Sequence, residues 1–424
     1  IEIKPSIHNP PLVDKPFVFV WDVSSDLCEE KFGVKLNLDY FDIIHNKNKG
    51  QLGENLVIFY QNNLSKFPYF DRKTGQAVNG GLPQAANLKS ILTDFEITVN
   101  KLIPDKDFQG LAILDWELWR ALFSRMGDPL MKIYQQKSIE SIKHEHPDWN
   151  EAQQLRWATL EYNLATERIL KPILVLGEIL RPHALWGYYL YPDCRYYNMT
   201  KKDMICSNLE MKKNTEIQWL FDESTALYPS VYLPEFYEDK DFVKNYVANR
   251  IREAMRVDDA RFSNVSAPVF SYHMLSYKKT IKFLDSQDLL DSIGIAAVLG
   301  ESGVVFWGGN NMGNSVEACQ NLSNYMDDFL GPYCKKLSDA ATRCSKDNCN
   351  GHGRCVISKF VDNHKVSKRR FLFIDEVMDI VSKLSDNIYN MYDVLQGVEY
   401  SSNEPRVSCQ CFTSWKGEHC EISL

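Results

Sequence analysis

No stretch of 18 apolar residues occurs in the 424-residue chain, so no membrane-crossing helix is expected. A basic excess is also missing: 48 Lys and Arg stand against 56 Asp and Glu, for a net charge of −8. Nucleic-acid binders usually carry the opposite balance, because they neutralise phosphates with cations. A local guanidinium can still serve an anionic ligand in an acidic protein. No glycine-rich phosphate loop follows an early apolar run, which argues against dinucleotide and P-loop folds. "GESG" (300–303) lacks the nucleophile-elbow pattern of serine hydrolases. His144 and His146 sit two apart in a helical stretch and point away from each other, so no metal site is expected, and no cofactor. The N-terminus, "IEIKPSIHNP", has neither the basic nor the apolar part of a signal peptide. Either the protein is cytosolic or such a peptide has been removed.

Aromatic residues are abundant: 21 Tyr, 22 Phe and 9 Trp. Core packing accounts for most of them. Sugar-binding clefts use such rings too, because the C–H faces of a pyranose stack on them. Many fall in short apolar runs that read as buried strands: 16–22, 40–44, 55–60, 110–117, 185–190, 230–234, 268–274 and 303–308. Helical patterns lie between them, notably "PQAANLKSILTDFEITVNKLI" and Trp149–Leu180. Asp148 and Glu151 are placed to form a capping box for the second, and Pro172 to kink it. This alternation favours an α/β fold closed as a (β/α)8-type barrel over an open doubly wound sheet.

The run "GLAILDWE" ends in two acids, Asp115 and Glu117. In a barrel, functional groups gather at the C-terminal ends of strands. Residues two apart on a strand share a face, roughly 6–7 Å from each other, with Trp116 turned the other way. Two carboxyls on one cleft suit glycoside hydrolysis, in which one is protonated to act as acid. The spacing alone equally allows the acids to pair with Arg120 or to cap the next helix.

Of 11 cysteines, 28, 194 and 206 are scattered and the rest crowd the C-terminal quarter. The last six run C-x4-C-x5-C and then C-x-C-x8-C, a poor fit to zinc knuckles. With the Gly-x-Gly before Cys355 and the aromatic and Gly of "SWKGEHC", they resemble an epidermal-growth-factor-like module. That resemblance implies the pairs Cys344–Cys355, Cys349–Cys409 and Cys411–Cys420, around a long insertion at 356–408. Such a density of disulfides implies an oxidising compartment. The sequons at Asn63, Asn198, Asn264 and Asn321 are compatible with a secreted glycoprotein.

"DWELWR" (115–120) resembles the signature of the animal hyaluronidases, glycoside hydrolase family 56. The resemblance runs on through "FPYFDRKTGQAVNGGLPQ", "LRPHALWGYYLYPDC", "STALYPSVYLP", "GVVFWG" and the cysteine-rich tail. It implies a catalytic barrel at 1–335 and an epidermal-growth-factor-like domain at 336–424. It implies an endo-acting, retaining hydrolase of hyaluronan, and of chondroitin, whose nucleophile is the substrate's own N-acetyl group. Glu117 then matches the general acid and base, and Asp115 the residue that orients the acetamide. Tyr60, Tyr189, Tyr232 and Trp307 match sugar-contacting residues, and Arg250 an arginine for the uronate carboxylate. The resemblance also implies Cys28–Cys319 and Cys194–Cys206, leaving Cys334 either free or paired with another chain. A monomer is expected, extracellular, with lysosomal or lipid-anchored forms compatible.

The chain departs from the family pattern after Arg120, where "ALFSRMGDP" replaces Pro and a Trp-rich stretch. Asp22 also stands where the family often has Asn, adding a third carboxylate near the expected cleft. These departures leave one alternative in view, a catalytically weak glycosaminoglycan-binding or adhesion protein on the same scaffold.

Overall fold

Runs rich in Val, Ile, Phe and Trp form the strands, since such side chains favour an extended backbone buried on both faces. The structure, a computed structural model, describes residues 6–45, 55–195, 206–235, 242–357 and 407–424. The expected insertion at 356–408 and the sequon at Asn198 therefore lie almost wholly outside the described residues. Two units make up the chain, each an α/β arrangement with a parallel sheet.

One unit comprises Glu54–Tyr189 and Lys212–Thr225. Its parallel strands Leu56–Tyr60, Leu111–Asp115 and Leu185–Leu190 place Leu111 between Leu56 and Leu185. Parallel neighbours need crossovers, supplied here by the helices Leu88–Leu102 and Glu151–Leu180. Phe59 packs 5.7 Å from Phe95 and 5.5 Å from Trp186, joining sheet to helix. Gly177 allows the long helix to approach: a Cβ there would lie 2.9 Å from the Trp186 ring. That helix is capped by Asn150 and Gln153, whose side chains accept from each other's backbone N–H at 3.0 Å. The expected cap at Asp148 is wrong by two residues. His146 stacks on Trp149 at 3.8 Å and its carbonyl accepts from the Trp149 N–H, which holds the chain in a turn past Asp148. The helix runs uninterrupted through Pro172.

The other unit comprises Ile1–Gly53, Leu190–Met211 and Ala226–Leu424. Its parallel sheet has the order Phe270–Met274, Gly303–Gly308, Val18–Val23, Ile43–Ile44. Helices Phe242–Asp259 and Ser286–Leu299 pack on one another. The run expected at 230–234 forms no strand; the strand is Tyr228–Pro229, followed by a single bridge from Ser230 to Tyr272. The carbonyls a longer strand would pair are taken by side chains: Arg250 donates to Ser230 O and the Tyr246 hydroxyl to Tyr232 O. The run at 40–44 contributes only Ile43–Ile44, because Leu38–Tyr40 is a single 3-10 turn.

The helix Gly331–Cys349 crosses the boundary expected between 335 and 336. Beyond it, Gly353–Ile357 pairs antiparallel with Val407–Cys411, and Trp415–Lys416 with Ile422–Ser423. Five disulfides are formed: Cys28–Cys319, Cys194–Cys206, Cys344–Cys355, Cys349–Cys409 and Cys411–Cys420. Cys334 is free and buried, its thiol pushed well up by desolvation. Arg354 donates to Pro16 O, Gly300 O and Ser302 Oγ at 2.7–2.9 Å, fastening its strand to the chain at the starts of two sheet strands.

Candidate active site

Four apolar residues, Leu111 to Leu114, lie fully buried, and the strand then surfaces at Asp115. Tyr60 is the register partner of Asp115 on the adjacent strand, and both face a cleft of about 580 Å³. Glu117 lines the same cleft. The strand ends at Asp115, so Glu117 is not placed by strand alternation. It is carried by the irregular turn that follows. Trp116 between them is buried, its ring 4.7 Å from Phe67 and 5.5 Å from Trp119. That aromatic cluster anchors the turn, and the two carboxyls emerge on either side of the anchor.

Glu117 is half-exposed, and one of its oxygens is held: Arg120 Nη2 lies 3.2 Å from Oε2. This is the first of the two bland alternatives left open by the spacing, and it coexists with the cleft. Arg120 itself is buried, its carbonyl accepting from the Tyr162 hydroxyl at 3.0 Å. The departing stretch after it is equally fixed. Thr166 donates to Ala121 O at 2.6 Å, the Phe123 N–H donates to Asn163 at 2.8 Å, and Gln135 donates to Phe123 O at 2.8 Å. Buried Arg125 donates to Asn214 at 2.9 Å. The long helix, through Tyr162, Asn163 and Thr166, and two neighbouring helices, through Gln135 and Asn214, thus supply the partners for this segment.

The cleft rim adds Gln61, Asn62, Arg72 and Asp128. No sequence signal marked them, since each is a polar residue in a polar loop. Tyr189 is half-buried, one position past the Leu114–Tyr188 pairing. Asn63, Asn264 and Asn321 are exposed.

Tyr232, Arg250 and Trp307 belong to the other unit. Tyr232 and Trp307 stack there at 5.8 Å, with Trp307 beside Asp22 and Met274 at the ends of the strands. Arg250 donates to Ser230 O at 2.7 Å, lies 3.9 Å from Asp193 and covers the Tyr246 ring at 4.5 Å. Asp22 is buried with His45 Nδ1 2.7 Å from its Oδ1. Burial raises the pKa of Asp22, opposed by the hydrogen bond and charge of His45. A further buried polar group was not foreseen: the Ser271 hydroxyl bridges His273 at 2.8 Å and Glu301 at 2.5 Å. Desolvation pushes His273 down to about 3 and Glu301 up to about 8. Among the described residues no cluster of His, Cys, Asp and Glu has the form of a metal site.

Comparison with known proteins gives a consistent result. The hyaluronidase family profile matches residues 6–424. The chain is 33% identical to hyaluronidase-2 of Mus musculus over 99% of its own length and 88% of that protein's. It is 33% identical to a hyaluronidase of Crotalus adamanteus, covering 96% of this chain and 91% of that one. Among solved structures it resembles bee venom hyaluronidase in complex with a hyaluronic acid tetramer. The TM-score is 0.65 and the identity 27%, over 76% of this chain and 99% of that one.

Proposed function

The chain belongs to the hyaluronidase family, a hyaluronidase-type glycoside hydrolase, and from that premise we propose that it cleaves hyaluronan internally. Chondroitin, which shares the N-acetylhexosamine and uronate repeat, is proposed as a second substrate. The observation that carries this reading is one cleft lined by Asp115, Glu117 and Tyr60.

Glu117 protonates the glycosidic oxygen as the bond to the anomeric carbon breaks. The substrate's acetamide oxygen forms the new bond to that carbon, giving a cyclised, positively charged intermediate. Asp115 orients the acetamide N–H and offsets the charge. Water then attacks the anomeric carbon and passes its proton to the Glu117 carboxylate, and the ring reopens. Two displacements on one carbon leave its configuration retained, and neither acid bonds to the sugar. A positioned acid of this kind contributes about 10²–10⁴-fold.

Tyr189, Tyr232 and Trp307 are proposed as sugar contacts, and Arg250 as a contact to a uronate. A (β/α)8-type barrel within 1–335 is part of this reading. The cysteine-rich remainder, 336–424, is an epidermal-growth-factor-like domain. The five disulfides and the exposed sequons support an extracellular location with glycans at Asn63, Asn264 and Asn321.

The test is to incubate the protein and Glu117→Gln with hyaluronan and with chondroitin from acidic to neutral pH. Saturated even-numbered oligosaccharides from the wild type alone are expected. Products with an unsaturated uronate would mean elimination and sink the mechanism. No cleavage with binding intact would favour a binding protein instead.

A further inference from the structure

The cleft around Asp115 and Glu117 is poorly suited, on charge alone, to the acidic polymer proposed for it. Three carboxylates line it, Asp115, Glu117 and Asp128, against two guanidiniums, Arg72 and Arg120. Arg120 is committed to Glu117 and is buried. Arg72 is different. It is exposed, lines the cleft, and makes no ion pair or hydrogen bond among the described residues.

Its position is nonetheless fixed. Tyr69–Phe70 and Ala77–Val78 form a two-stranded hairpin with Arg72 in the loop. The neighbouring carboxylate, Asp71, is used by the turn. Asp71 Oδ1 accepts from Lys73 N at 3.0 Å, Thr74 N at 2.7 Å and Thr74 Oγ1 at 2.8 Å. The root of the hairpin is pinned in turn. The Phe70 N–H donates to the Tyr134 hydroxyl at 3.1 Å, the two rings meet edge to face, and Asn79 donates to Phe67 O at 3.1 Å. Gly81, at φ +74°, packs so closely on Phe70 that a Cβ would lie 2.8 Å from its ring. The fold therefore builds a rigid arm and ends it in an unpaired guanidinium at the rim of an otherwise acidic cleft.

We propose that Arg72 is a specificity-determining residue whose guanidinium takes a uronate carboxylate of the bound polymer. The proposal rests on the reading that the cleft holds a glycosaminoglycan. A guanidinium fork matches a carboxylate in two parallel hydrogen bonds, and a rigid root reduces the entropy lost in making them. The contact anchors a sugar beside the reacting one and offsets repulsion from the cleft acids. It makes no contribution to the proton transfers.

The experiment compares wild type, Arg72→Ala, Arg72→Lys and Lys73→Ala on hyaluronan and on hyaluronan whose uronates have been reduced to neutral glucose. Lys73 is the next cation in the hairpin, outside the cleft lining, and its loss is expected to change nothing. Arg72→Ala is expected to raise KM on hyaluronan about tenfold with a much smaller change in kcat, the scale of one charge-assisted hydrogen-bonded pair. Arg72→Lys should fall between. On the reduced polymer wild type and Arg72→Ala should match. An equal KM on native hyaluronan, or an equal rise on both polymers, overturns the assignment while leaving the hydrolase reading intact. If wild type cleaves neither polymer, the hydrolase reading fails by itself. Calorimetric binding of hyaluronan oligosaccharides then decides Arg72: weaker binding by Arg72→Ala supports it, and equal or absent binding overturns it.

Discussion

Arg120 Nη2 lies 3.2 Å from Glu117 Oε2, so the residue proposed to carry the catalytic proton is held by a guanidinium three positions along the same turn. The pair is half-exposed at the carboxylate, where such contacts add little stability. Its value lies in direction. One carboxylate oxygen is fixed, and Trp116 and Trp119 pack beneath the segment between the two residues.

Removing that hold should therefore affect rate more than binding. Arg120→Ala is expected to lower kcat about ten- to hundredfold, since small misplacements of a reacting group cost rates of this order. KM should move less, and Arg120→Lys should recover part of the loss. A reducing-end assay measures both constants, with circular dichroism to confirm folding. A raised KM with unchanged kcat would show that Arg120 binds substrate instead.

The contribution of Glu301 to stability should decline with rising pH. Burial raises its pKa from 4.5 to about 8, against the hydrogen bond from Ser271 and the charge of Arg354. Between those values the unfolded chain releases a proton that the folded chain keeps, so unfolding is favoured by about 1.4 kcal/mol per pH unit. The contribution is fully present below pH 4.5 and lost once pH passes about 8. Thermal melts of wild type and Glu301→Gln across this range should show a gap in favour of the variant that widens with pH. Parallel curves would contradict it.

Cys28–Cys319 closes a loop with a sequence separation of 291. Replacing both by Ser should cost about 5–6 kcal/mol on the chain-entropy view, the largest effect among the five bridges. Denaturant titration under non-reducing conditions gives the value, and replacing Cys411 and Cys420 provides the short-loop comparison.

Asn163→Ala should loosen the segment after Arg120. The Phe123 N–H loses its acceptor, at a cost of about 1–2 kcal/mol for an unsatisfied amide. Hydrogen exchange at Phe123 should accelerate while the core of the long helix keeps its protection. Unchanged exchange would show that Asn163 is not what orders the segment.

Much of the fold is legible in the sequence because buried parallel strands are short, apolar and aromatic. The runs ending at Tyr60, Leu190 and Gly308 coincide with strands at their C-terminal ends, and the run ending at Glu117 overshoots its strand by two residues. Failures came where a side chain from elsewhere decided the outcome. Arg250 and Tyr246 took the carbonyls of 230–232, and the stacking of His146 on Trp149 moved a helix start from Asp148 to Asn150. Periodicity records which faces are apolar, and it is silent on which donor meets which carbonyl. The acid pair could be read from its spacing, but its partner Arg120 could not be separated from competing roles. Arg72 carried no signal at all, because an exposed cation in a hairpin becomes distinctive only through what surrounds it.

The disulfide Cys349–Cys409 brackets the whole segment between Ile357 and Val407. Cys344–Cys355 lies entirely before that segment and Cys411–Cys420 entirely after it. A protease that cuts anywhere inside therefore releases nothing. The two pieces stay joined by one sulfur–sulfur link and by the pairing of Gly353–Ile357 with Val407–Cys411. Such a nick would be invisible by size under oxidising conditions and would appear as two bands only after reduction.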